Sequence, residues 1–158
     1  MLLVVRHGDA GSEQRWKGPD LVRPLSPAGR RQAEGLVVRL EDYPVERILS
    51  SPSLRCQQTV QPLAGDRFLE VEPWAALGVD ASLSDLLGVF WNRALGNAVL
   101  CTHGETIGQL LTRFVADGFV MDDLLDWPKG STWLLQPTDR RQIRGRLLAP
   151  LERELVEP

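Results

Sequence analysis

The sequence predicts an α/β fold: a three-layer αβα sandwich with a largely parallel central sheet. Short continuous apolar runs are typical of buried parallel strands, amphipathic segments lie between them, and the two alternate four times along the chain. The chain has 158 residues, of which 43% are hydrophobic, enough for one domain with a substantial core. We therefore expect a single domain over residues 1–158 and exclude a disordered or fibrous chain.

The strands are predicted from apolar runs that end at turn residues. The first run, residues 2–5, is rich in branched side chains and ends just before a histidine and a glycine. Similar runs predict strands at residues 46–49, 68–71 and 98–101, and a terminal pair at 132–136 and 142–147.

The helices are predicted from caps and from apolar residues at helical spacing. Ser26 as N-cap and Pro27 at the first position open a helix that extends to about residue 41. Between the first strand and this helix lies a polar loop, residues 11–24, whose length indicates that it frames a site. The other helices are predicted from residues 50–52 to about Gly65, over 82–94, and over 105–116.

Charge and cysteine content exclude several classes of partner. With 18 basic and 21 acidic residues the net charge is −3, so neither nucleic acid nor an anionic membrane is expected as partner. The apolar start is too short for a signal peptide or a membrane span, which predicts a cytoplasmic protein. Cys56 and Cys101 lack zinc spacing, so we expect free thiols and no metal or cofactor. The oligomeric state stays open.

Both histidines of the chain follow predicted strands. His7 comes after the first strand and His103 after the fourth, each directly before a glycine, Gly8 or Gly104. In open α/β sheets ligands bind outside the carboxyl ends of the strands, and glycine lets the backbone approach a ligand closely. Two matching strand-His-Gly sequences therefore indicate a site at this edge.

Two arginines and a helix start are predicted at the same edge. Arg6 precedes His7, and Arg55 lies in the first turn of the second helix, although a solvated position is the alternative for Arg55. Guanidinium groups offer paired donors that match phosphate oxygens, and the helix that starts near Gly104 has free N–H groups for an anion. The sequence thus predicts a site for a dianionic phosphoryl group.

Four motifs occur in order along the chain: Arg6-His7-Gly8, residues 25–33, residues 50–59, and Thr102-His103-Gly104. Together they resemble the histidine phosphatase superfamily, also called the phosphoglycerate mutase-like family, from residue 1 to about residue 133. The short chain and residues 6–10 resemble its SixA-like phosphohistidine phosphatase branch. Residues 15–20, 23–25, 55–59, 101–102 and 129–133 are also similar to the C-terminal phosphatase domain of two-domain Nudix hydrolases that process nucleotides.

The resemblance implies that His7 is the nucleophile and that Arg6, Arg55 and His103 hold the phosphoryl oxygens, with no metal. The guanidinium groups are expected to lower the pKa of His7 and keep it neutral near pH 7. The expected substrate is a phosphohistidine protein or a small phosphoanhydride such as a nucleoside diphosphate. The remaining substrate-binding residues are predicted to be Gly8, Gly104 and Lys17, the last of which would contact a second phosphate.

One position departs from the family pattern. Leu77 stands where many members carry a glutamate that protonates the leaving oxygen, a step that contributes about 10²- to 10⁴-fold to the rate. This departure favours a leaving group that needs little protonation. Two alternatives stay open. One is a phosphoglycerate mutase-type phosphotransfer, against which the missing acid and the short chain count. The other is a non-catalytic phosphate-binding module, which Leu77 itself keeps open. The stand-in acids that the sequence offers are Glu72, Asp80, Asp9 and Glu105.

Overall fold

The computed structural model of the protein describes residues 1–138 and 142–154, and in this part strands and helices alternate as the sequence predicts. The strands are β1 (Leu2–Arg6), β2 (Arg47–Ser50), β3 (Val71–Pro73), β4 (Ala98–Thr102), β5 (Val120–Met121), β6 (Thr132–Pro137) and β7 (Ile143–Leu148). The α-helices are α1 (Pro27–Arg39), α2 (Leu54–Arg67), α3 (Leu83–Phe90) and α4 (Gly104–Ala116).

All seven strands of the described residues join in one sheet, in the order β3-β2-β4-β1-β6-β7-β5. The first four of these run parallel to one another, β6 is antiparallel to β1 and β7, and β5 is parallel to β7. One face packs against α1 and α2 through residues such as Leu36 and Leu63. The other packs against α3 and α4 through Leu86 and Phe114. The predicted three-layer sandwich is confirmed.

The third strand and the helices beside it differ from the prediction. Helix α2 continues to Arg67 and ends at Phe68, whose left-handed backbone (φ 56°) breaks the expected strand at 68–71. Aromatic residues are typical of strands, and for this reason Phe68 was included in the predicted strand. In the structure Phe68 lies outside β3 and is 96% exposed. Helix α3 ends at Phe90 instead of residue 94, which leaves Trp91 beyond the helix and 54% exposed. Strand β5 was not predicted.

The register of the parallel strands brings three strand ends side by side. Arg6 of β1 pairs with Thr102 of β4, and Ser50 of β2 pairs with Cys101. Just beyond these pairs, the His7 N–H donates to the Thr102 carbonyl at 3.1 Å. The residues that follow β1, β2 and β4 therefore emerge together at one edge of the sheet. Among the described residues, no helix is both long and apolar enough to cross a membrane.

Candidate active site

His7 lies at the centre of this edge, with one ring nitrogen fixed and the other without a hydrogen-bond partner among the described residues. Its Nδ1 is 2.7 Å from the carbonyl oxygen of Gly8. Since a carbonyl oxygen only accepts, Nδ1 carries the hydrogen, and in the neutral ring Nε2 keeps its lone pair. The fold thus holds His7 in the tautomer that a nucleophile acting through Nε2 requires.

The charge state of His7 follows from its burial. Desolvation is the largest cause that lowers the pKa of His7, to about 3, and His103, Arg55 and Arg6 lower it further. The hydrogen bond to Gly8 opposes this shift without cancelling it. From the sequence we expected the guanidinium groups to cause the lowering of the His7 pKa, whereas burial contributes more. His7 is therefore neutral near pH 7.

His103 lies beside His7 with both of its nitrogens engaged. The two ring centroids are 5.4 Å apart, and the planes meet at 67°. Ser51 Oγ lies 2.8 Å from His103 Nε2, and Arg55 Nη2 lies 3.4 Å from His103 Nδ1. Because a guanidinium only donates, Nδ1 is the acceptor and Nε2 donates to Ser51. In this arrangement Nδ1 has no hydrogen to donate, and the Nε2 hydrogen reaches an oxyanion only if it leaves Ser51.

Arg55 is buried, and the long loop holds it. Its Nη1 donates to the Asp20 carbonyl and its Nη2 to the Asp20 carboxylate, both at 3.0 Å. The same carboxylate accepts from Arg23 Nε at 3.0 Å, and Arg23 Nη1 donates to the Ala10 carbonyl at 3.0 Å. Burial raises the pKa of Asp20, but the two arginines outweigh it and lower the pKa overall. The ionised Asp20 therefore ties the loop to Arg55.

Arg6 reaches over the start of α4. Its Nη1 donates to the Trp127 carbonyl at 2.8 Å, and a Cβ added at Gly104 would lie 2.9 Å from Arg6 Cζ. Glycine is therefore needed at 104 so that this guanidinium can lie against the helix start. The Nε atoms of Arg6 and Arg55 are buried without a hydrogen-bond partner in residues 1–138 and 142–154. Buried donors of this kind are normally satisfied, and a bound oxyanion would satisfy them.

Gly8 is also required by its protein neighbours. A Cβ there would lie 2.9 Å from the carbonyl oxygen of Gly29 in α1. The Gly8 N–H donates to Thr59 Oγ1 at 2.9 Å, and this hydroxyl donates to the Arg55 carbonyl at 2.7 Å. The tight His-Gly turn is thus held by α1 and α2. From the sequence we expected both glycines to allow a sharp turn and a close approach to a ligand, and at Gly8 the packing against Gly29 requires glycine as well.

Two of the stand-in acids are held ionised by basic partners. Hydrogen bonds from Lys129 and Ser26 lower the pKa of Asp9 to about 2, with Lys129 Nζ at 2.8 Å. Arg47 donates twice to Glu72, at 3.0 and 2.6 Å, and lowers the pKa of that carboxyl as well. Neither carboxyl is suited to give a proton to a leaving group near neutral pH.

The other positions considered for acid and binding roles are exposed, with Asp80 and Glu105 each lining a cleft beside the site, or buried in the core. Asp80 and Glu105 are exposed, in the loop before α3 and in the first turn of α4. Leu77 is fully buried in the core beneath α3 and α4. Lys17 is exposed, and the described residues give it no hydrogen bond or ion pair, so its contact with a second phosphate stays a prediction.

Two clefts adjoin this cluster of histidines and arginines. One, of about 740 Å³, is lined by Arg6, Gly104 and Trp127. The other, of about 500 Å³, is lined by Ser51, Leu21 and Asp80. Both volumes lie in the range of small-molecule sites, so the edge has room for a leaving group on either side. In the described part of the chain, no group of three His, Cys, Asp or Glu side chains could hold a metal ion.

The sequence analysis missed Ser51 and Asp20 as parts of this site. Asp20 stands in the loop that was expected to frame a site, and in the stretch that resembles the Nudix-linked phosphatase domains, but no role was assigned to it. Ser51 was interpreted only as part of a helix start, although α2 begins at Leu54. The sequence feature that could have pointed to both residues is their position within the motifs quoted for the family resemblance.

The fold and the site define a three-layer α/β domain with paired imidazoles and guanidinium groups at the carboxyl edge of its sheet. The family model of the histidine phosphatase superfamily (branch 1) matches residues 2–78. The recognition of this superfamily from the four motifs is thereby confirmed.

Two curated relatives are similar to the chain. The 8-oxo-(d)GTP phosphatase of Mycolicibacterium smegmatis is 36% identical over 156 residues, which are 94% of this chain and 48% of the relative. The chain thus spans about half of that protein's length. The phosphohistidine phosphatase SixA of Escherichia coli is 25% identical over 120 residues, which are 70% of this chain and 71% of the relative.

Solved structures share the fold at low sequence identity. The protein histidine phosphatase SixA complexed with tungstate superposes with a TM-score of 0.65, at 20% identity and with 96% of each chain covered. A mycobacterial glucosyl-3-phosphoglycerate phosphatase with inorganic phosphate gives a TM-score of 0.62 at 21% identity, covering 94% of this chain and 95% of that one. These likenesses establish the architecture.

Proposed function

We propose that this protein is a metal-independent phosphohydrolase that works through a phosphohistidine intermediate on His7. The observation that carries the proposal is the buried, neutral His7, whose Nδ1 is fixed by Gly8 and whose Nε2 is left as a lone pair. The Mycolicibacterium and Escherichia relatives, both named phosphatases, support the same class of reaction. The proposal takes residues 1–158 as one cytoplasmic phosphatase domain.

The proposed reaction has two steps. In the first, Nε2 of His7 attacks phosphorus, the bond to the leaving group breaks, and the leaving group departs with the electron pair. Arg6, Arg55 and His103 then face the charge that develops on the phosphoryl oxygens, so the site stabilises the transition state mainly by fixed donors. In the second step, water attacks the phosphohistidine, its proton is released, and His7 is regenerated with inorganic phosphate as product.

The carboxylates around the site restrict the substrate. Asp9, Glu72 and Asp20 all lie in ion pairs that lower their pKa, so each is a weak proton donor at neutral pH. We therefore infer a leaving group that departs without strong acid assistance. The imidazole of a phosphohistidine protein and the phosphate of a nucleoside diphosphate both meet this requirement, whereas a sugar alcohol does not.

The test is phosphate release in the presence of EDTA. Purified wild-type protein and His7→Ala are compared on a phosphohistidine peptide, nucleoside diphosphates, 3-phosphoglycerate and 4-nitrophenyl phosphate. We expect turnover of the first two classes, none by His7→Ala, and a phosphoryl group on His7 after rapid alkaline quenching and mass spectrometry. The exposed Asp122→Asn variant, whose carboxylate pairs with Arg144, serves as a matched purification control. Phosphate binding without turnover on any substrate would overturn the proposal.

A further inference from the structure

Helix α4, which follows His103, has two glycines on one face, and each of them makes room for a large side chain. Gly104 and Gly108 are four residues apart, so they lie on neighbouring turns of this face. A Cβ added at Gly104 would lie 2.9 Å from Arg6 Cζ, and a Cβ added at Gly108 would lie 2.8 Å from Trp127 Cζ2. The guanidinium of Arg6 and the indole of Trp127 are therefore both packed against the backbone of α4.

A hydrogen bond joins these two residues. Arg6 Nη1 donates to the main-chain carbonyl of Trp127 at 2.8 Å. In the part of the chain that the structure describes, this carbonyl is the only hydrogen-bond acceptor of the Arg6 guanidinium. An arginine side chain has several rotatable bonds, so contacts of this kind decide where its guanidinium lies.

The segment that follows Trp127 is bound to the backbone of the nucleophile turn. The Gly130 N–H is shared between the carbonyls of Arg6 and His7, at 3.2 Å each, and the Arg6 N–H donates to the Ser131 carbonyl at 3.0 Å. These bonds fix the segment three and four residues after Trp127. They do not set the direction of the Trp127 carbonyl itself.

The segment is also fixed on the other side of Trp127. Trp133 Nε1 donates to the Asp126 carbonyl at 2.8 Å, directly before Trp127. The Trp127 carbonyl thus lies between two fixed points, and the packing of its indole on Gly108 selects one position for it. Trp127 and Arg6 also line the same cleft of about 740 Å³ beside the histidines.

We propose that Trp127 is a positioning residue, which holds the Arg6 guanidinium in place for the phosphoryl oxygens through its packing on Gly108. The inference rests on the proposed function, because it takes Arg6 as a donor to the phosphoryl group. With Nη1 held by the Trp127 carbonyl, the buried Nε of Arg6, which has no partner among the described residues, is left to the phosphoryl group.

The test adds one methyl group at each of two helical glycines. Gly108→Ala displaces the indole, while alanine favours the helix, so that α4 itself is not weakened. Gly88→Ala in α3 is the matched control, because a Cβ there has no atom within 4 Å. Titration calorimetry with inorganic phosphate measures the Kd of each variant. We expect Gly108→Ala to raise this Kd about tenfold, since a misplacement of about 1 Å in a positioned group costs up to about 10²-fold in catalysis. Gly88→Ala is expected to leave it unchanged.

Two double variants distinguish positioning from a general structural effect. Trp127→Phe lacks the outer ring atoms that meet the added methyl group, so Gly108→Ala/Trp127→Phe is expected to bind phosphate within about threefold of wild type. In an Arg6→Gln background, Gly108→Ala is expected to have no further effect on the Kd, because the residue through which Trp127 acts is gone.

Phosphate binding and turnover together separate the two proposals. Protein that shows the expected changes in Kd without turnover on any substrate contradicts the proposed function and supports the positioning role. Equal Kd values for Gly108→Ala and wild type overturn the role of Trp127, as does a tenfold loss that persists in the Arg6→Gln background. Wild-type protein that binds no phosphate overturns both proposals. If Gly108→Ala does not fold, Trp127→Ala replaces it, with the same expected rise in Kd.

Discussion

The two histidine–glycine turns of this protein have the same local sequence and different partners. Each follows a buried strand of the parallel sheet, β1 for His7 and β4 for His103, and the strands are direct neighbours. His7 uses one nitrogen on the carbonyl of its own neighbour, Gly8. His103 uses both nitrogens on side chains from elsewhere in the chain, Ser51 and Arg55.

This difference shows how one sequence pattern yields two chemical roles. The local pattern places an imidazole at a strand end, and the groups that surround it decide what the ring can do. A ring tethered through Nδ1 alone keeps a lone pair for attack, which suits His7 as nucleophile. A ring held between a hydroxyl and a guanidinium has both nitrogens occupied and keeps no lone pair for attack, which suits His103 to a supporting role beside Arg55.

The largest expected effect is the fall in kcat on alanine substitution, which differs between the two histidines. His7→Ala removes the atom that forms the covalent bond, so kcat is expected to fall by at least about 10⁴-fold, with no phosphoryl group on the protein. His103→Ala removes one oxygen donor and is expected to lose about 10²- to 10³-fold while still forming the phosphoenzyme. Stopped reactions analysed by intact mass check both. A phosphoenzyme in His7→Ala, or none in His103→Ala, reverses the roles.

The second expected effect is a loss of folding stability in acid, which is caused by His7. The folded state lowers the pKa of His7 from 6.5 to about 3, so between these values the unfolded chain binds a proton that the folded protein does not. Stability is therefore lost as pH falls through this window, by up to roughly 4 kcal/mol at its lower end.

Urea unfolding at several pH values measures this dependence. His7→Gln, which cannot titrate, is expected to show a shallower loss of unfolding free energy between pH 6 and pH 4, two conditions chosen within the window. His103→Gln is the matched control for loss of a buried ring at the same edge. Equal slopes for wild type and His7→Gln would show that His7 does not carry the acid sensitivity.

Most of the fold and the position of both turns could be predicted from the sequence, because buried parallel strands consist of short continuous runs of apolar residues. The third strand could not, since Phe68 has the side chain of a strand residue and the left-handed backbone of a helix end. The partners of His103 could not either. Ser51 lies 52 residues from His103 in sequence, and no periodicity or cap links the two.

The third expected effect tests whether Ser51 sets the role of His103. Ser51→Ala removes the acceptor of the Nε2 hydrogen, and kcat is expected to fall about tenfold with little change in KM, since one oriented hydrogen bond contributes up to about 1.4 kcal/mol. Ser50→Ala is the matched control, because Ser50 is equally buried and its hydroxyl donates to the Ser51 carbonyl instead. Equal losses of kcat in both variants would indicate a purely structural contribution.

The smallest expected effect concerns Asp20, whose carboxylate is paired with Arg55 on the His103 side of the site. Its carboxylate accepts from Arg55 Nη2 at 3.0 Å, so a phosphoryl oxygen that binds at Nη2 must share or replace this contact. The carboxylate also repels a dianion. Asp20→Asn keeps the side-chain shape without the charge, and inorganic phosphate is expected to inhibit it at about fivefold lower concentration, a difference of about 1 kcal/mol.

The direction of the change in phosphate inhibition shows whether Asp20 competes with phosphate for Arg55 or only orients Arg55. If Asp20 competes with phosphate, the neutral variant binds the product more tightly and releases it more slowly. If Asp20 instead serves only to orient Arg55, the variant binds phosphate more weakly, and the competition argued here is wrong. Asp122→Asn removes a carboxylate of an exposed ion pair on the other side of the sheet and is expected to leave phosphate inhibition unchanged. Phosphate inhibition therefore reports on His103 and Arg55 as one oxygen-binding unit, to which the loop contributes the charge of Asp20.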